Sequence, residues 1–598
     1  MASARNGDSE RSIAPKFTKV LAGLQPAKVP SGRTWIFVNE DQLNDQIGEL
    51  VETPPQNAGV ILIENAWKAG LRPYHKQRLA LNWANQRHFA LEQAKRGVYV
   101  RYLFAKVPYR EVLAHATAEL GAEQILCMTP AERELRADIL PLVRSKVLLL
   151  SRHDGWLTSH DDFLDSQKGP PWRMDMFYRH VRRKSGVLME GKKGDQFVGG
   201  KLSFDVENRL SWSGPPHGPA APKVPMFTPD AITAEVCDLV ESAFAHHPGV
   251  LQRDSLPATA ADAKRLWQWA LKHCMEHFGP YEDAMSATHR NLFHTRVSAL
   301  MNLHRLLPRD VVRDAEAAEL PLASKEGFIR QILGWREFVR HVHFATDGFR
   351  TIGERAVPSQ SAPGDGGFAR WAGHKWPGTA DLESARQVDV SSATPAELGS
   401  RTPLPPAFWR AGSGMNCLDT VVTSVWEEAY SHHITRLMVL GNLATLLDVN
   451  PRELTDWFWV AYIDAWDWVV EPNVLGMGTF ATGQTMTTKP YVAGAAYINK
   501  MSDYCGGCRF DPQTTCPIKS LYWAFLQRHE PKLKGNPRMM MPMRSLAKRS
   551  EEQKASDARI FATTVQLLVA GEPLTVKAYG QSVAEPMVTQ PKRKGVSS

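Results

Sequence analysis

Over the first 150 residues, short unbroken apolar runs alternate with longer amphipathic stretches. The runs Thr34-Trp-Ile-Phe-Val38, Gly59-Val-Ile-Leu-Ile63, Val98-Tyr-Val-Arg-Tyr102 and Gln124-Ile-Leu-Cys127 have the length and composition of buried strands. Between them, Lys76 to Ala94 and Tyr109 to Leu120 carry apolar residues at helical spacing. Strand and helix in alternation predict a parallel α/β sheet, because a parallel return needs a crossover helix. From about residue 230 the period changes. The stretch from Asp230 to Glu241, Ala261 to Phe278, and Val311 to Leu320 repeat apolar positions at intervals of three and four, with Asp or Pro at their starts. The expected fold class is an N-terminal parallel-sheet domain of Rossmann-like α/β type, followed by a large all-α domain. No GxGxxG accompanies the sheet, so a dinucleotide fingerprint is excluded.

Polarity and breakers divide the chain further. Residues 1–32 are polar and Pro-punctuated and read as a disordered extension, 33–150 as the α/β domain, and 151–230 as a Gly-, Pro- and charge-rich connector. Residues 231–535 form the helical domain, and 536–598 a further helix and a basic tail. Within the helical domain, residues ~350 to ~400 are rich in Gly, Pro and Ser and read as an extended surface loop.

Composition adds a partner class. In 598 residues the formal charge is +8 and the pI about 9.0, which favours a polyanion such as nucleic acid. No apolar run approaches eighteen residues, and MASARNGDSERS has no hydrophobic core of a signal peptide. A cytoplasmic, monomeric protein without membrane contact is expected. Seven cysteines in so long a chain do not make a disulfide framework.

Four of those cysteines carry the strongest chemical signal. Cys505-Gly-Gly-Cys508, Cys516 eight residues on, and Cys417 upstream offer four thiolates to one centre. Such a set suits tetrahedral zinc or an iron–sulfur cluster, and spacing alone does not choose. The Cys516-Pro517 pairing and the density of Trp and Tyr between Trp457 and Trp523 favour a redox centre. His432-His433, beside Tyr430 and Arg436, is a candidate for proton transfer near neutral pH. Thr295 and Ser298 stand where a helix start could present hydroxyls and free N–H groups to phosphate.

Several motifs together resemble one family. Lys489-Pro-Tyr-Val-Ala-Gly-Ala-Ala-Tyr497 through Cys508, Gly414-Met-Asn-Cys417, Ala429-Tyr-Ser-His-His433, Arg436-Leu-Met438, Gly327 to Glu337 and Phe204-Asp-Val-Glu-Asn-Arg209 occur in the order found in the bacterial iron–sulfur branch of the photolyases and cryptochromes. The likeness runs from about Thr34 to about Lys534. It implies a DNA-repair lyase that binds UV-damaged DNA and reverses (6-4) pyrimidine photoproducts, using FAD and a 4Fe-4S cluster. By the same resemblance, His433 is the proton donor with His432 in support. His294, Thr295, Ser298, Asn302, Arg336, Arg436 and Asp464 hold the flavin, and Cys417, Cys505, Cys508 and Cys516 the cluster. Trp457, Trp409 and Met477 feed electrons inward, with Phe458 and Trp466 nearby. Arg209, Trp335, Tyr491 and Tyr497 meet the lesion.

The branch also implies a lumazine antenna in the N-terminal sheet. Here Glu40, Lys68, Leu71 and Tyr74 depart from the family's residues, and ordinary packing of Trp67 and Tyr74 is expected instead of an altered chromophore pocket. Trp468-Val-Val-Glu471 shifts by one residue the carboxylate that the family places beside the flavin. These departures leave a second reading, a cryptochrome-type photoreceptor that signals without repairing DNA. A zinc-stabilised DNA-binding protein is a third.

Overall fold

The computed structural model describes residues 13–360, 391–409 and 412–582. Strands β1 (Thr34–Phe37), β2 (Ala58–Asn65), β3 (Tyr99–Ala105), β4 (Ile125–Met128) and β5 (Leu148–Ser151) form one parallel sheet in the order β3-β2-β1-β4-β5. β2 is buried along its whole length, as a central strand covered on both faces must be. Gly59 in β2 lies beside Trp35, and a Cβ there would sit 2.6 Å from the indole; glycine lets the ring lie against the strand.

The fifth strand was not expected. Leu148–Ser151 pairs with β4, but its run is short and adjoins the polar connector, so the pattern gave it no separate signal. A second difference concerns the N-terminal extension. Pro15–Leu24 is a helix whose Phe17 and Leu21 are buried against the sheet domain. The Glu235 carboxylate accepts from the backbone N–H groups of Lys16 (2.7 Å) and Phe17 (3.2 Å), occupying donors left free at the helix start.

The helix Lys76–Lys95 joins the two halves of the molecule and is buried on nearly every side. Its polar residues are therefore paired. Arg87 meets Glu64 through two 2.8 Å bonds and Glu235 through one of 3.2 Å, while Arg78 donates to the Trp459 carbonyl at 2.7 Å. From Ala231 onward the described chain is helical, apart from four two-residue strands at 351–352, 355–356, 359–360 and 392–393. Most of the loop expected at ~350–400, residues 361–390, lies outside the described residues.

Three π-helical stretches interrupt the helices: Arg330–Arg336, Arg436–Gly441 and Glu471–Gly478. Each carries residues singled out from the sequence, as π-bulges at functional sites often do. No described helix is long and apolar enough to cross a membrane.

Candidate functional site

An ion-paired spine crosses the helical domain. Arg436 meets Asp464 through two bonds of 3.0 and 3.1 Å, and Asp464 also accepts from the Ser298 hydroxyl at 2.7 Å. Asn302 donates to the Asp464 carbonyl at 2.9 Å and accepts from Arg336 at 3.4 Å. Burial alone would raise the Asp464 carboxyl, but the Arg436 charge and the hydrogen bonds hold it below the usual range. Arg436 also lies 4.0 Å over the Tyr462 ring, and Arg336 4.0 Å over Trp156. Thr295 is buried close to this spine in sequence, before the short helix Ser298–Asn302.

Beside the spine stand three imidazoles. His294 and His432 stack at 4.1 Å with planes within 9°, and His433 lies across His294 at 72°. Their donor atoms fall within 4.8 Å of one another. The arrangement is a stacked pair with a crossing ring. Burial, then the neighbouring His and Arg charges, keep His294 and His432 neutral at pH 7.

His433 is different, with 42 % of its side chain open to solvent. Desolvation and Arg436 and Arg330 push it down to about 4, while Asp283 favours the cation. Asp283 accepts from Tyr497 at 3.2 Å and lies 4.0 Å from Arg209, which also pairs with Asp205. Glu282, 3.9 Å from His433, accepts from Asn208 and Gln331. His433, Tyr497 and Arg209 are thus brought to one carboxylate-lined rim. Tyr491 lies within the electrostatic reach of Asp205 on the same side. Trp335 is half-buried, edge-on to Phe338.

The aromatic residues form a continuous path with a member that sequence reasoning missed. Trp409 stacks on Trp426 at 5.5 Å, Trp426 meets Trp457 at 5.9 Å, and Trp457 reaches Tyr462 at 6.0 Å. Trp426 therefore bridges the expected pair, and Tyr462 carries the path to Arg436. The indole N–H groups of Trp426 and Trp457 both donate to the Phe408 carbonyl at 2.9 Å. Trp426 was passed over because a single Trp on the amphipathic helix Asn416–Glu428 looks like packing. Met477 lies half-buried on Glu471–Gly478, a segment packed on the Trp457 helix.

The four cysteines meet elsewhere. Cys417 enters from the start of Asn416–Glu428, Cys505 and Cys508 from the turn at Tyr504–Gly507, and Cys516 caps Pro517–Arg528. All four line one cavity whose other walls are chiefly apolar, including Met415, Ile498 and Phe510. Asn416 donates to the Tyr504 carbonyl at 2.8 Å and pins the two segments together. Gly414 precedes this helix with φ +82, and a Cβ there would meet the Leu574 backbone at 2.4 Å. Burial pushes the Cys417 thiol up, and the other three sulfurs push it further; burial also takes Cys516 to about 12.

Over 536 residues the chain is 33 % identical to the (6-4) photolyase of Agrobacterium fabrum, spanning 86 % of this chain and 96 % of that protein. This chain belongs to the photolyase and cryptochrome family. A family model described as deoxyribodipyrimidine photo-lyase-related protein matches residues 36–256. Among solved structures, a bacterial class III photolyase from Agrobacterium tumefaciens is 14 % identical with a TM-score of 0.49, covering 93 % of this chain and 98 % of that one. The Synechocystis sp. PCC6803 cryptochrome is 13 % identical with a TM-score of 0.49, covering 89 % and 95 %.

Membership of the photolyase and cryptochrome family implies FAD, and the residues present fit it. The Nε2 atom of His294 and the indole nitrogen of Trp468 are buried without a partner among the described residues. Buried polar atoms are seldom left so in a complete protein. His294 adjoins Arg436 and Trp468 adjoins Arg336, so these two atoms lie along the ionic spine where a polar heterocycle would complete them.

The residues do not fit a lumazine antenna of the family's kind. Lys68 pairs with Glu40 at 3.2 Å and with Glu132, and these groups, with Tyr74 and Tyr109, leave a cavity of only ≈30 Å³. Glu40, Lys68 and Tyr74 therefore meet at one place, filled by a buried cation and its counter-charges. Glu471 is likewise engaged elsewhere, accepting from His343 at 2.8 Å and from Arg452 at 2.7 Å.

Proposed function

We propose that this protein reverses (6-4) pyrimidine photoproducts in DNA by light-driven electron transfer. The observation that carries the reading is His433, held at the junction of Asp283, Glu282 and the neutral His294–His432 stack yet open to an incoming base. A base repaired at such a site must leave the helical stack, and a lesion with weakened pairing lowers that cost. Bound and excited by light, reduced FAD would supply one electron to the lesion and take one back. Arg436 and Asp464 supply a fixed charge pair for that cofactor, with Ser298, Asn302 and Arg336 as hydrogen-bonding neighbours.

At the rim, Asp283 stabilises the charged form of His433, and the imidazolium passes its proton to the hydroxyl moving between the two bases. The proton returns to His433 when the electron leaves, so the sequence is redox-neutral. Tyr491 and Tyr497 line the lesion's polar edge, Trp335 its apolar one, and Arg209 holds an adjacent phosphate. Trp426 and Tyr462 join Trp409 and Trp457 as the route by which electrons from solvent reach the cofactor. Light-dependent repair of an oligonucleotide with one (6-4) photoproduct, beside a cyclobutane-dimer control, tests this. Repair of the first alone is expected, whereas a flavin-loaded protein that repairs neither is a photoreceptor.

We also infer a 4Fe-4S cluster at Cys417, Cys505, Cys508 and Cys516. The convergence of all four cysteines on one mostly apolar cavity supports it. Cys508→Ser is expected to lower iron per chain by more than about half and to weaken the broad visible absorption. Stoichiometric zinc with no iron in the wild type would sink this assignment.

A further inference from the structure

Between Lys534 and Arg549 the chain carries five cations and no acid, around the run Met539-Met-Met-Pro-Met543. The proposed repair reaction uses none of it. Leu533, Met539 and Leu546 are buried and anchor the segment, whereas Met540 and Met541 are 47 % and 66 % exposed on the helix Met540–Ala547. Arg538, Arg544 and Lys548 are exposed and pair with no carboxylate among the described residues. Arg549 is held back by Asp557 and by the Trp523 ring, 4.8 Å beneath it.

The segment is fixed beside the rim of the site. Asn536 donates to the Thr488 carbonyl at 2.8 Å, three residues before Tyr491, and its side-chain oxygen accepts from the Arg538 N–H at 2.9 Å. Arg538 lies close enough to the Tyr491 phenol to counter the upward push of burial and Asp205. Arg538 thus stands beside Tyr491, one of the residues proposed to meet the lesion, with the exposed Met540 and Met541 two and three positions on and Arg544 on the same helix.

We propose that Met540 and Met541 form a wedge that enters duplex DNA beside the flipped lesion, with Arg538 and Arg544 gripping the flanking phosphates. The inference rests on the repair reading and extends it to the undamaged part of the substrate. The chemistry suits that partner. Cations neutralise phosphate without regard to sequence, and flexible thioether side chains adapt to the irregular gap left when bases unstack. A helix with exposed methionines and no cations would instead suit an apolar protein surface.

The test measures binding of the cofactor-loaded protein to three labelled DNAs: a (6-4) duplex, the same lesion in a single strand, and an undamaged duplex. Met540→Ser with Met541→Ser is expected to weaken lesion-duplex binding about tenfold and leave single-strand binding within about twofold, since only a duplex has a gap to fill. Met540→Leu with Met541→Leu should restore it. Arg538→Gln with Arg544→Gln should weaken all three and reduce the salt dependence by about two phosphate contacts. Lesion-duplex affinity unchanged in the serine variant overturns the wedge, as does a concentration-dependent dimer that the serines abolish. A wild type with no preference for lesion over undamaged duplex overturns the repair reading itself, a separate result.

Discussion

His433→Ala is expected to lower light-driven repair of a (6-4) photoproduct by about a hundred- to ten-thousandfold, the span of a lost general acid. Lesion binding should stay within about threefold, because Arg209, Trp335, Tyr491 and Tyr497 are untouched. The measurement is single-turnover repair per absorbed photon on pre-reduced protein, with binding followed separately. The pH dependence has a defined sign. The imidazole is held below its ordinary 6.5, so the protonated fraction grows as pH falls. Wild-type repair should therefore rise between pH 8 and pH 6 and the residual activity of the variant should not. A variant that keeps wild-type repair, or one with the same pH profile, would remove His433 from the reaction.

Arg452→Met is expected to cause the largest loss of stability, about 3–5 kcal/mol, because it leaves two carboxylates buried without their cation. Arg452 donates to Asp456 and to Glu471, each at 2.7 Å, and all three side chains are almost fully enclosed. Burial would raise Glu471, but His343 and Arg452 bring it to about 2. A carboxyl whose value falls on folding adds stability that is complete above its ordinary 4.5 and lost as pH drops toward 2. Burial takes Asp456 to about 6, which favours the folded state as pH falls through that value. Without the guanidinium both carboxyls rise, so the deficit should be greatest near pH 8 and shrink by pH 5.5. Urea unfolding at the two pH values measures it, and an equal deficit at both would refute the assignment. The helix Pro451–Ala461 also carries Trp457, so the variant should slow photoreduction as well.

What could be read from the sequence divides along physical lines. Buried parallel strands and the CxxC pair announce themselves locally, through continuous apolar runs and close spacing, so the sheet and the thiol set were legible. The helix Pro15–Leu24 was not, because its acidic partner Glu235 lies more than two hundred residues away and the flanking sequence is polar. Trp426 was hidden for the opposite reason: its pattern suits a core position, and only the rings on either side give it another meaning. Lys68 read as a departure from a chromophore pocket, but its two carboxylate partners come from separate loops and become visible only when the chain is folded. His432 and His433 were legible as a pair, whereas the stacking of His294 on His432 depends on a segment some 140 positions earlier.

The anchoring of Pro15–Leu24 to Glu235 also bears on how the chain is made. All five strands have emerged by Ser151, yet Glu235 and the rest of Ala231–Ala243 leave the ribosome only after the whole connector. During that interval, on the order of ten seconds at ordinary rates of synthesis, Arg87 lacks one of its acids and Lys76–Lys95 has an uncovered outer face. The nascent sheet thus completes its burial only once translation has passed the connector, and slow codons placed there would lengthen its exposure.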